Sequence, residues 1–124
     1  MEESIPAWRQ FAQGSTLGQE GSESGVIVLD EEHLDGARIS LERATRVAPF
    51  AITCGIYGWF FHMRYFDDEA EAKREFRSMK LALEQIIEGL PLESSEDSGG
   101  SSEKKEAMGQ SMKAIEQFVE RFPT

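Results

Sequence analysis

Two hydrophobic rhythms divide the chain: apolar residues recur at every second position through its middle and at helical spacing from about residue 68 onward. Val26-Ile27-Val28-Leu29 is β-branched, leads into acidic residues, and reads as a first strand. Ala37 to Thr45 alternates in polarity and reads as a second. Between them, Leu34-Asp35-Gly36 suits a three-residue hairpin loop closed by a left-handed residue. That loop opposes Leu29 to Leu41, Val26 to Ala44 and Glu32 to Arg38, whereas a two-residue loop sets Leu29 against Glu42. The three-residue loop is therefore expected, with Ile27, Leu29, Ile39 and Leu41 on the core face.

Arg46-Val47-Ala48-Pro49 turns the chain into a third strand, Phe50 to Cys54, and a fourth runs from Trp59 to Phe66. A loop of two or four residues within Gly55-Ile56-Tyr57-Gly58 joins them. Either length sets Phe50, Ile52 and Cys54 on one face with Trp59, Phe61 and Met63. Phe60, His62, Arg64 and Phe66 then share the opposite face with Ala51 and Thr53.

Asp68 and Glu71 are spaced as a capping box with Asp in place of Ser or Thr. Ala72, Phe76, Met79, Leu83, Ile86, Ile87 and Leu90 follow as one apolar stripe, ended by Pro91. A second amphipathic helix spans Glu103 to Phe122, with Met108, Met112, Ile115, Val119 and Phe122 as its stripe. Ser4 as a cap, Pro6 in the first turn and the spacing of Ile5, Trp8 and Phe11 predict a short N-terminal helix ended by Gly14. Its Trp8 is expected to dock on the body or on a second subunit.

The expected fold is α+β: a four-stranded antiparallel meander, a long helix packed on one face, and a C-terminal amphipathic helix after a flexible linker. Residues 1–25 form a short helix or arm and a Ser/Gly/Glu-rich connection. Residues 26–90 form a ββββα core, 91–102 an acidic linker, and 103–124 the last helix of the same domain.

At 124 residues with 40% apolar content, one domain can bury a core without a disulfide. A single cysteine excludes an internal disulfide and fits a reducing compartment. The longest apolar run, Pro49 to Phe61, is shorter than the roughly 20 residues of a membrane-spanning helix. Met1-Glu2-Glu3-Ser4 is acidic where a signal peptide is basic. A cytoplasmic protein without membrane association is expected. A net charge of −10 argues against nucleic acid as partner, because phosphate binding needs a basic footprint. The charge is uneven: residues 1–36 sum to −7, while residues 37–66 carry four arginines against Glu42 and sum to +3.

Candidate chemistry gathers on the fourth strand. Histidine as a residue type can titrate near neutral pH, which makes His62 a candidate acid/base group, and Arg64 can grip a carboxylate or phosphate through two parallel hydrogen bonds. Phe60, Phe66 and the small Thr53 complete a candidate ligand-binding face. The ordinary alternative pairs Arg64 with Glu42 or a helix carboxylate and leaves His62 a partly covered surface residue. Cys54 with His62 as nucleophile and base is disfavoured, because the expected register puts them on opposite faces. Cys54 then reads as an inert buried thiol. Asp30-Glu31-Glu32-His33 offers four metal-ligand types in a row, but alternation splits them between faces, so no metal is expected. Gly55-Ile56-Tyr57-Gly58 lacks the lysine and the setting of a phosphate loop, and Tyr57 at its tip is expected to be an exposed contact residue.

The expected function is a non-catalytic binding or regulatory module acting as a homodimer, with no cofactor. Its further partner is a protein or a small anionic ligand. The alternatives are an enzyme or anion-binding protein using His62 and Arg64, and an acidic immunity-type inhibitor that caps a basic partner.

Overall fold

A computed structural model describes residues 7–89 and 101–123, with side chains from 109 onward in the second stretch. Five antiparallel strands follow one another across the sheet: β1 (Trp8–Gln10), β2 (Val26–His33), β3 (Ala37–Arg43), β4 (Phe50–Ile56) and β5 (Phe60–Phe66). Among the described residues two α-helices complete the α+β architecture, α1 (Glu69–Glu88) and α2 (Ser101–Arg121). Among the described residues no helix is long and apolar enough to cross a membrane. The Ser4 cap, the Leu90 end of the α1 stripe and residues 91–100 of the expected linker lie outside the described residues.

α1 forms as its pattern dictates. The Asp68 side chain accepts the Glu71 N–H at 2.8 Å, satisfying one orphan donor of the first turn. Ala72, Phe76, Met79, Leu83, Ile86 and Ile87 are buried, and they meet Ile39, Leu41, Ile52 and Ile56 of the sheet. Each fully buried aliphatic side chain contributes roughly 1.5–3 kcal/mol, so this interface is the main source of stability.

The β2–β3 hairpin has the expected three-residue loop, with Leu29 opposite Leu41 and Glu32 opposite Arg38. A bulge between Ile27 and Leu29 then shifts the register, so Val26 faces Arg43 rather than Ala44. Ile27 is thereby rotated off the core face and lies beside Glu42 on the other side of the sheet.

Two expectations are corrected at the sheet edges. Trp8–Gln10 is a fifth strand, not a helix: it pairs with Glu31–His33, and Trp8 packs edge-on against the His33 ring at 5.1 Å. The chain then reverses through left-handed Ala12 and Gln13, and pairing with β2 supplies hydrogen bonds that one isolated turn of helix cannot.

The β4–β5 loop has three residues, Tyr57-Gly58-Trp59, neither two nor four. Trp59 N–H donates to Ile56 O at 2.9 Å, and Gly58 takes φ +83° at the position where a type II turn needs a positive angle. Odd loop length flips the parity of the strand. Cys54 faces His62, Ile52 faces Arg64 and Phe50 faces Phe66. The Phe60/His62/Arg64/Phe66 face is therefore the core face, under the helices, and Phe61, Met63 and Tyr65 belong to the other.

α2 packs on that same core face. Its buried stripe is Ser111, Ile115, Phe118 and Phe122, while Met112 and Val119 are exposed. Both stripes have helical spacing and share Ile115 and Phe122; the one that seats the Phe118 ring against Phe60 and His62 prevails. Both helices thus lie on one side of the sheet. Part of the other side is roofed by residues 11–25.

Candidate functional site

On the helix side, β5 presents His62 and Arg64 to the end of α2. His62 Nε2 donates to the Phe122 carbonyl, which fixes the imidazole tautomer, since a carbonyl oxygen only accepts. Arg64 Nε donates to Pro123 O at 3.0 Å, and Nη1 donates to Glu75 Oε1 on α1 at 2.7 Å. The guanidinium also lies 4.8 Å from the centre of the Phe66 ring. The last carbonyls of a helix lack intrahelical donors, and a cation there also meets the negative end of the helix dipole. The arrangement anchors α2 to the sheet and to α1 at once.

Cys54 shares this face, across from His62, contrary to the expected register. Burial pushes its thiol up to about 12, against a smaller downward pull from Arg64. At neutral pH the sulfur is a protonated, weakly nucleophilic thiol, and the His62 Nε2 proton is committed to Phe122.

The four consecutive ligand types of β2 alternate between faces and each has its own partner. Asp30 accepts from Arg38, Glu31 from Lys80, and Glu32 from Arg9. His33 Nδ1 accepts the Asp35 N–H at 3.0 Å. Among the described residues no three His, Cys, Asp or Glu side chains gather as a metal site.

The opposite side of the sheet holds the groups that pattern reading missed. Asp30 is buried and takes a bidentate Arg38, Nε to Oδ1 at 2.9 Å and Nη2 to Oδ2 at 2.7 Å, with the Thr16 hydroxyl at 2.8 Å. The Arg38 guanidinium stacks 3.5 Å above the Phe11 ring, and its hydrogen bond to Asp30 raises its already high pKa. Glu42 is 1% exposed and pairs with no cation among the described residues: its carboxylate accepts backbone N–H groups from Glu23 and Gly25 at 3.0–3.2 Å. A buried carboxylate is tolerable when its lone pairs are filled in this way. Tyr65 donates its hydroxyl to Glu23 at 2.9 Å, which raises the phenol pKa and ties the roof to β5.

Beside the roof, the sheet stays open over a cavity of about 190 Å³. Ser40, Thr53 and Gly55 floor it, Ile27 and Ser22 bound one side, and Tyr57 and Phe61 the other. Phe61 is 74% exposed and Tyr57 51%. Of the sequence-derived candidates, only Thr53 lines this cavity; Phe60, His62, Arg64 and Phe66 lie across the sheet. The available signal was Arg38 in a strand opposite an acidic one, but the roofing segment has no hydrophobic rhythm to announce that it folds back. Against known proteins, the chain matches no family model, no curated protein and no solved structure.

Proposed function

We propose that the protein is a non-catalytic binding module that works as a homodimer, joined through strand β5. The observation that carries this reading is Phe61, 74% exposed on a seven-residue strand that forms one edge of the sheet. Edge strands offer unpaired backbone donors and acceptors, and charged or proline residues ordinarily blunt them. β5 has no proline or lysine, and its one arginine is turned toward the helices and engaged there. Antiparallel pairing of two copies about Met63 sets Phe61 of one copy against Tyr65 of the other, an aromatic cross-strand pair. Such an interface is isologous and closes on itself.

The engagement of His62 and Arg64 by the end of α2 supports a binding role over an acid/base one. Cys54, free and buried, fits residence in a reducing compartment such as the cytoplasm. Light scattering coupled to gel filtration tests the dimer. The wild type is expected to elute at twice the chain mass across the micromolar range, and Phe61→Glu at the mass of one chain. A wild type that stays monomeric throughout that range would rule the homodimer out.

A further inference from the structure

The cavity behind Phe61 has a shape, a lining and an unmet hydrogen bond that together define a ligand. Its depth comes from small residues. Gly55 is required there, because a Cβ at that position would lie 2.4 Å from Phe60 O and 2.8 Å from the Phe61 ring. Its walls are apolar, with Ile27 facing Phe61 and Tyr57 across the floor. Among the described residues the buried Thr53 hydroxyl finds no hydrogen-bond partner, a state that costs roughly 1–3 kcal/mol.

Charge and size narrow the class. The ionic groups at the margin are already engaged, Arg38 by Asp30 and Glu42 by backbone N–H groups. A charged ligand therefore has no free counter-charge to meet. Apolar protein cavities of about 150 Å³ accept benzene, so about 190 Å³ suits a single ring with one substituent. We infer that this cavity binds a small uncharged aromatic molecule bearing one hydroxyl or N–H group, its ring between Ile27 and Phe61; the Thr53 side chain turns about its Cα–Cβ bond to bring its hydroxyl, shut off in the free protein, onto the polar group of the ligand. The site lies on the open face rather than along the β5 edge, so it stands whether or not two copies pair.

Phenol and toluene, added to the ¹⁵N-labelled protein, separate the parts of this inference. In the wild type, phenol shifts the amide resonances of Ser40, Thr53 and Gly55 saturably and binds more tightly than toluene. Thr53→Val keeps the shape and removes the hydroxyl. It weakens phenol about five- to tenfold and leaves toluene unchanged. Ser40→Leu fills the floor and abolishes both, with unchanged α1 resonances reporting that the fold is intact. Phenol that leaves the three amides unmoved in the wild type, or that still binds Ser40→Leu, overturns the site. An equal loss of phenol and toluene in Thr53→Val overturns the role given to the hydroxyl.

Discussion

Cys54 shows how burial alone sets the chemistry of a side chain. Its thiol ordinarily titrates near 9 and is pushed up to about 12, desolvation outweighing the nearby Arg64. Between those values the unfolded chain releases a proton that the folded chain keeps, so stability falls as pH rises through the window. The slope from this one group approaches about 1.4 kcal/mol per pH unit. Cys54→Ala is expected to be less stable by about 1 kcal/mol near neutral pH, yet to lose that slope. Urea denaturation of both proteins between about pH 8 and about pH 11 should show the wild-type advantage shrink and reverse. A constant difference across the window would refute the assignment. Glu42, equally buried, is held differently: the backbone N–H groups of Glu23 and Gly25 converge on its carboxylate.

Elements differ in how firmly their sequences declare them. α1 was legible because one apolar stripe and one N-terminal cap agree. The β2–β3 loop was legible because only a three-residue turn pairs Leu29 with Leu41. The β4–β5 loop was not, because both faces of β5 carry large residues and alternation there fits either parity. One residue of loop length decided whether His62 and Arg64 met solvent or helix. The fold class was therefore readable while the face bearing the candidate site was inverted, with Thr53 alone left at the cavity. β1 was hidden for a different reason: three residues are too few for any period, and their strand state depends on a partner about 25 residues away. The placement of α2 gives a test at this scale. Arg64→Ala removes its contacts to Pro123 and Glu75 and is expected to destabilise the protein by about 2–3 kcal/mol. Its last turn should become accessible to trypsin at Arg121 well before α1 is cut. Cleavage at Arg121 no faster than in the wild type would show that α2 is held by its aromatic contacts alone.

At the scale of the molecule, a sheet with both helices on one side leaves its other side partly roofed and, among the described residues, no strand beyond β5. Two copies joined along β5 would together carry twice the net charge of −10. That like charge opposes association and is screened by salt. The dimer is expected to tighten a few-fold as ionic strength rises from about 0.01 M to about 0.1 M, read by sedimentation equilibrium. Weakening with salt would point instead to an interface built on opposite charges. The order of the strands carries one more consequence, for the path by which the chain folds. From β2 to β5 every neighbour in space is the next strand in sequence, joined by turns of three to six residues, so these pairings close short loops at small entropic cost. The contact between His62 and Phe122 spans 60 residues. The meander and α1 can therefore assemble early, with α2 docking onto a finished surface, late to arrive and first to leave.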